Sequence, residues 1–153
     1  MPSTYATLDF SILPYTEKTP PLPKPDPEFL AELGNEEMYA FLERVYLCLF
    51  DSPIKALFPT EIDVMREASE IAADYFIRAC GATPGREQRR NTLHVAKKHP
   101  PFKITPETRL HWLACFKEGL QLIIDGKQSS PEHIQSFWNY INIFSILLIN
   151  ARR

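Results

Sequence analysis

The segment from Thr92 to Phe116 constrains the fold most, because it contains a helix end followed closely by a helix start. A proline disfavours helical geometry in the residue before it, so a helix that enters this segment should end near His99, ahead of the Pro100–Pro101 pair. Thr105 can then cap a second helix, with Pro106 at its first position. The segment therefore predicts two helices joined by a rigid turn, with an imidazole at the end of the first helix.

Apolar residues recur at helical spacing in four segments, and no segment shows the two-residue alternation of a half-buried strand. The positions on these four faces are Met38, Phe41, Leu42, Val45, Tyr46 and Leu49; Ile62, Met65, Ala68, Ala72, Phe76 and Ala79; Trp112, Leu113, Phe116, Leu120 and Ile123; and Ile134, Phe137, Trp138, Ile141, Ser145 and Leu148. The pattern predicts an all-α domain of four substantial helices with shorter connecting segments.

The first 33 residues differ in composition from the rest of the chain and contain seven of its fourteen prolines. Such a run favours extended, polyproline-like backbone over helix or sheet. We expect a Pro-rich N-terminal extension at residues 1–33, followed by the helical domain at residues 34–153. The favoured interpretation of the extension is a poorly ordered arm. The alternative is an arm that packs over the domain through Tyr5, Phe10 and Tyr15.

Composition and charge exclude several classes of function. With 153 residues, of which 44% are hydrophobic, the chain suits one globular domain with a sizeable core. A net charge of -2 argues against nucleic acid as a partner. The most apolar stretch, Trp138–Ile149, is too short to cross a bilayer, and the N-terminus lacks the pattern of a signal peptide. We therefore expect a soluble, cytoplasmic protein without a membrane partner.

The three cysteines, Cys48, Cys80 and Cys115, are odd in number and lie at scattered helical positions. Buried thiols in a reducing compartment are the favoured interpretation, ahead of a disulfide framework or a zinc site. The sequence contains no Cys-x-x-Cys-His haem-attachment motif. It also lacks a His-Glu-x-x-His motif, a Gly-x-Ser-x-Gly motif and a glycine-rich phosphate loop.

One pattern remains, formed by Tyr46, the Phe58–Pro59 step, His99 and Trp112. Together with the helix order, it resembles the truncated (two-over-two) haemoglobins, most closely their group II, over residues 34–150. That family has a proximal His-x-Pro-Phe-x-Ile turn, matched by His99–Ile104, followed by a Trp-Leu pair, matched by Trp112–Leu113. The chain departs from the family at Val45, where an aromatic residue is usual, at Gly81-Ala82, where the family has two glycines, and in its extra N-terminal extension.

The resemblance implies a globin-like fold in which a two-over-two helical sandwich surrounds haem b (iron protoporphyrin IX). His99 is then the proximal ligand of the haem iron, since globins hold iron through an imidazole. The implied cofactor-binding residues are Phe58, Phe76, Lys98, Phe102 and Phe116, and the implied distal ligand pocket comprises Tyr46, Ala68, Ala72 and Trp112. Lys98 is placed to meet a haem propionate, with a solvated lysine as the alternative. His94 and His111 are expected to be bystanders.

The resemblance also implies reversible binding of dioxygen, and of NO or CO, for delivery, storage or sensing. In that role the Tyr46 hydroxyl and the Trp112 indole N–H are hydrogen-bond donors to the ligand; the alternative roles are a core tyrosine and plain packing. A haem enzyme that detoxifies NO or peroxide needs the same pocket, so enzymatic activity stays open. A third interpretation is a haem-free helical interaction module. A reductase is a further conceivable partner, and the resemblance is compatible with a monomer or a homodimer.

Overall fold

The computed structural model describes residues 5–16, 18, 20–57, 61–85 and 104–149. Within these ranges the chain forms five α-helices and no β-strand, which confirms the predicted all-α fold. The helices are α1 (Pro27–Leu33), α2 (Asn35–Phe50), α3 (Ile62–Ala79), α4 (Pro106–Asp125) and α5 (Pro131–Leu147). Single 3-10 turns occur at Tyr5–Thr7 and Lys55–Leu57. None of the helices in these described ranges combines the length and hydropathy needed to cross a membrane.

Two predicted helix boundaries are confirmed by their hydrogen bonds. Helix α4 begins after Thr105, whose hydroxyl accepts the backbone N–H of Thr108 at 3.1 Å. Helix α3 is followed by Gly81 at a φ of +89°, a left-handed geometry that glycine adopts without a Cβ penalty. The N–H of Gly81 then donates to the Arg78 carbonyl oxygen at 2.8 Å. The helix end predicted at His99 lies outside the described residues.

Helix α2 joins the two halves of the described structure, because it packs against both α3 and α4. Helix α4 packs in turn against α5, so the α2–α3 pair and the α4–α5 pair meet through α2 and α4.

Gly119 of α4 permits the close approach of α4 to α2. A Cβ atom at position 119 would lie 2.8 Å from Cε2 of Phe41 and 3.1 Å from Cγ2 of Val45. A larger residue at position 119 would therefore push α2 and α4 apart.

Helix α1 was not predicted, and it adds apolar side chains to the core ahead of residue 34. The Asp26 side chain caps it by accepting the N–H of Glu28 at 2.9 Å. Phe29 is fully buried and stacks on Phe137 of α5, with ring centroids 4.5 Å apart. The division of the chain between residues 33 and 34 stays a prediction, although the core extends at least as far back as Phe29.

A hydrogen-bonded cluster around Glu32 fastens α1 to the start of α5. The Glu32 carboxylate accepts hydrogen bonds from the hydroxyls of Ser129 at 2.9 Å and Ser130 at 2.8 Å, and it pairs with Nδ1 of His133. Burial alone would raise the pKa of Glu32, but these hydrogen bonds lower it to about 2. The same hydrogen bond from His133 to Glu32 raises the pKa of His133 above its usual value. The cluster therefore favours a paired carboxylate and imidazolium.

The described part of the N-terminal arm packs on the helices, so the interpretation of a poorly ordered arm was wrong there. The Tyr5 hydroxyl donates to the carbonyl oxygen of Ser129 at 2.8 Å, and the Phe10 ring meets the Trp138 indole edge-on at 5.1 Å. Tyr15 is half-buried. Prolines stiffen the arm and remove backbone donors, but they do not prevent the aromatic residues between them from burying apolar surface.

Arg109 of α4 is the buried anchor of this arm, with only 2% of its surface exposed. Its guanidinium donates to the carbonyl oxygen of Leu13 at 2.6 Å, to the Ser145 hydroxyl at 2.7 Å and to both oxygens of Asn142 at 2.8 and 2.9 Å. Burial lowers the pKa of Arg109 from its usual value. These four partners of the cation are neutral oxygens, so the hydrogen bonds offset its desolvation.

Arg109→Lys is expected to lower the free energy of unfolding by about 2 kcal/mol, because the charge stays buried while most of its hydrogen bonds are lost. Arg109→Met removes the charge as well and should cost less than Arg109→Lys. Urea denaturation followed by circular dichroism measures both. Arg66→Lys is the control, since Arg66 forms an exposed ion pair with Glu43 that contributes little. An Arg109→Lys protein as stable as the Arg66→Lys protein would contradict the anchoring role.

The prediction that all three cysteines are thiols was wrong for two of them. Cys48 of α2 and Cys115 of α4 form a disulfide, with Cα atoms 5.7 Å apart, while Cys80 is a buried free thiol. The pairing follows from the packing of α2 on α4, which brings together two positions separated by 67 residues in sequence. Helical spacing within each segment could not reveal that register.

Candidate functional site

Six of the ten predicted site residues lie in the described part of the chain. They are Tyr46 on α2, Ala68, Ala72 and Phe76 on α3, and Trp112 and Phe116 on α4. The other four, Phe58, Lys98, His99 and Phe102, lie outside the described residues, as does His94. Their roles therefore stay predictions from the sequence.

Three of the six predicted residues form one aromatic cluster that spans α3 and α4. The rings of Trp112 and Phe116 are 4.2 Å apart between centroids and tilted by 41°. Phe116 meets Phe76 edge-on at 5.8 Å. Phe116 is fully buried and Phe76 nearly so, whereas Trp112 is half-buried. The rings are thus arranged from the core outward, with the indole at the less covered end.

Phe144 of α5 completes the cluster and was missed by the sequence analysis. Its ring lies 5.8 Å from Phe76 and 6.4 Å from Trp112. The sequence spacing could have predicted its burial. Phe144 follows Phe137 by seven residues and Ile141 by three, which places all three on one helical face. Ser145 was assigned to that face instead, and its hydroxyl in fact binds Arg109.

Tyr46 lies on α2 and packs against the hydrophobic core while remaining half-buried. Burial raises the pKa of its phenol to about 12, because the phenolate would lose its hydration. The hydroxyl therefore stays protonated throughout the physiological pH range and can act as a hydrogen-bond donor. A core tyrosine and a ligand-facing tyrosine would share this protonation state.

Ala68 and Ala72 occupy successive turns of α3, and both are half-buried. Their side chains carry no donor, acceptor or metal-ligating atom. Helix α3 therefore offers no imidazole or carboxamide at these two positions. The indole N–H of Trp112 has no hydrogen-bond partner within the described ranges, so among these residues Trp112 and Tyr46 are the polar groups of the site.

The disulfide joins the two helices that carry these polar groups. Cys48 follows Tyr46 by two residues on α2, and Cys115 follows Trp112 by three residues on α4. The covalent link and the close contact at Gly119 together limit how far α2 and α4 can separate. The spacing between Tyr46 and Trp112 is therefore held by more than side-chain packing.

The described side chains are of types that suit contact with a flat, apolar group. Aromatic rings, alanines and two N–H or O–H donors can each contact such a group without burying an unpaired charge. Among the residues that the structure describes, no group of three or more histidine, cysteine, aspartate or glutamate side chains could hold a metal ion. A metal at this site would need the predicted ligand His99, outside those ranges.

Comparison with known proteins yields likenesses to solved structures; no protein-family model and no curated protein matches the sequence. The chain is similar to the crystal structure of phosphate-bound Hell's gate globin IV, with a TM-score of 0.69 and 26% identity over 88% of this chain and 81% of that one. It also resembles a truncated oxygen-avid haemoglobin from Bacillus subtilis, with a TM-score of 0.57 and 18% identity over 80% of this chain and 99% of that one.

Both of these proteins are globins, and the likenesses cover 88% and 80% of this chain. The expected globin-like architecture is thereby confirmed, whereas the finer assignment to group II stays a prediction. The chain has the all-helical globin fold.

Proposed function

We propose that the chain is a haem-binding globin that reversibly binds dioxygen and other diatomic ligands such as NO and CO. The observation that supports this most is the convergence of Phe76, Trp112 and Phe116 in one aromatic cluster on a globin framework. These three residues are among those that the family resemblance implies for the haem pocket. A haem-free interaction module would not require a half-buried indole beside buried rings at the implied positions.

Each residue of the proposed site has a distinct role. His99 would hold the iron, and Phe58, Phe76, Lys98, Phe102 and Phe116 would contact the porphyrin. The haem supplies an iron centre that binds diatomic molecules. Tyr46 would donate its hydroxyl hydrogen to a polar ligand, and Trp112 its indole N–H. Ala68 and Ala72 would leave room for that ligand without competing as iron ligands.

The remaining details of the proposal rest on the sequence resemblance. They are membership of group II, a non-covalent haem b, a cytoplasmic location and a monomeric or homodimeric state. The absence of a Cys-x-x-Cys-His motif supports non-covalent attachment. Partnership with a reductase remains part of the proposal only if the iron needs re-reduction in its physiological role.

Titration of haem into the purified protein tests the proposal directly. We expect a Soret band that saturates at one haem per chain and shifts when CO is added to the reduced protein. An equal amount of a helical protein without a haem site is the reference for non-specific uptake. Absence of a saturable Soret band would refute the haem-binding function and leave the helical interaction module as the remaining interpretation.

Tyr46→Phe is expected to speed dioxygen dissociation by about 5–150-fold, because one hydrogen bond of about 1–3 kcal/mol to the ligand is lost. Stopped-flow displacement of dioxygen by CO measures this rate. Tyr39→Phe is the matched control, since Tyr39 lies two turns earlier on α2 and its hydroxyl binds Asp74. Equal dissociation rates in the two variants would remove Tyr46 from the ligand's surroundings.

A further inference from the structure

The aromatic cluster continues from the candidate site to the protein surface. The Trp112 ring lies 6.4 Å from Phe144, and Phe144 lies 5.2 Å from Tyr75 of α3. Tyr75 is 47% exposed, whereas Trp112 is half-buried. We call Trp112, Phe144 and Tyr75 the aromatic relay. It connects the indole of the site to a solvent-exposed phenol through two ring contacts.

A second series of ring contacts reaches the same tyrosine. Trp112 contacts Phe116 at 4.2 Å, Phe116 contacts Phe76 at 5.8 Å, and Phe76 contacts Tyr75 at 5.6 Å. Both series begin at an indole and end at a phenol, which are the side chains that lose an electron most readily among the aromatic residues. The phenylalanine rings between the indole and the phenol shorten the through-space steps of electron transfer. They are not themselves oxidised.

A comparison with Tyr140 explains why the radical would form at Tyr75. Tyr140 is buried, its ring stacks on Phe144 at 5.6 Å, and its phenol is hydrogen-bonded to that of Tyr75. Burial first, and then this hydrogen bond, raises the pKa of Tyr140. A tyrosine that loses an electron must also release its proton. Tyr140 has no direct access to water, whereas Tyr75 can release its proton to solvent.

We propose that Tyr75 is a surface oxidation site at which small phenolic reductants are oxidised at the expense of hydrogen peroxide, through the aromatic relay. The proposal rests on the proposed haem-binding function, because the haem is where peroxide would be reduced. It adds to that function a substrate class and a place on the protein surface. Phenolic reductants that could not enter the ligand pocket would still reach Tyr75.

The electrons and protons balance over two passages through the relay. In each passage Trp112 would give up one electron to the peroxide-oxidised haem and regain one from Tyr75, which would release its proton to water and become a neutral phenoxyl radical. A phenolic reductant then transfers one hydrogen atom to Tyr75, which breaks the reductant's O–H bond and restores the tyrosine. Two passages would deliver two electrons, and solvent would return the two protons released at Tyr75. The sum is the conversion of one hydrogen peroxide and two phenols into two waters and two phenoxyl radicals.

Mapping of radicals by spin trapping tests the proposal in the haem-loaded protein. The protein receives one equivalent of hydrogen peroxide in the presence of a nitroso spin trap, and mass spectrometry of its peptides locates the adduct. We expect the main adduct on Tyr75, and none in haem-free protein treated in the same way. Tyr75→Phe should lose this adduct, and Trp112→Phe should reduce it by about tenfold or more, because phenylalanine is far harder to oxidise than tryptophan.

Tyr15→Phe is the control variant, since Tyr15 is a half-buried tyrosine of the N-terminal arm outside the relay. It should keep the wild-type adduct on Tyr75. A normal Soret band with adducts elsewhere, or an undiminished Tyr75 adduct in Trp112→Phe, would overturn the relay while leaving the haem-binding function intact. Failure of the chain to bind haem would overturn both.

Discussion

His99→Ala is expected to weaken haem binding by more than about 100-fold. Loss of a group that only orients a metal ligand typically costs 10–100-fold in metal affinity, so loss of the ligand itself should exceed that range. The remaining rings can still pack against a porphyrin, and some haem uptake is therefore expected at high concentration. The iron spectrum of such a complex should change, because the imidazole bond is gone. Competitive transfer of haem to an apo-myoglobin mutant of known affinity measures the change.

The other histidines provide matched controls for this prediction. His94→Ala removes an imidazole five residues earlier, and His111→Ala removes one that is half-buried on α4 beside Trp112. Both variants should keep the affinity and the spectrum of the wild-type protein. If His94→Ala or His111→Ala lost the haem and His99→Ala kept it, the assignment of the proximal ligand would be wrong even though the chain binds haem.

Reduction of the Cys48–Cys115 disulfide is expected to lower the free energy of unfolding by about 4 kcal/mol. The bond closes a loop of 67 residues that includes all of α3, so the unfolded chain gains much freedom when it is cut. The midpoint of urea denaturation should fall by about 2 M, if the slope is near 2 kcal/mol per molar urea. Denaturation with and without a dithiol reductant, together with a count of free thiols, measures the effect.

The double variant Cys48→Ser/Cys115→Ser separates this effect from other actions of the reductant. It should be about as unstable as the reduced wild-type protein and should not respond to reductant at all. Cys80→Ala should still respond, because its thiol takes no part in the bond. A wild-type protein that shows three free thiols before reduction would contradict the disulfide itself.

The long helices could be predicted because each has three or more turns of regular apolar spacing. Helices α2, α3, α4 and α5 all lie where that spacing placed them. Helix α1 was missed because it has only seven residues and follows the proline run, although Asp26-Pro27 is a recognisable helix start. The disulfide was missed for a different reason. Its formation depends on how far α2 is shifted along α4, which no single segment determines.

The site was predicted less completely than the fold. Tyr46, Phe76, Trp112 and Phe116 were chosen by resemblance to a family, since helical spacing alone marks them only as buried positions. The structure adds their contacts, the protonation state of Tyr46 and the participation of Phe144. His99 lies outside the described residues, so its assignment as the proximal ligand of the haem iron still depends on the His99–Ile104 motif.

The docked arm has a consequence for the order in which the protein can fold. Its hydrogen bonds join residues that are 96 to 131 positions apart, such as Leu13 with Arg109 and Ser11 with Asn142. During synthesis the arm leaves the ribosome before its partners on α4 and α5. Contacts of such long range form late, because the loop-closure entropy must be overcome before they contribute. The nascent protein therefore carries Tyr5 and Phe10 uncovered until Ser129 and Trp138 have been made, and the step that covers them joins the N-terminal arm to α5.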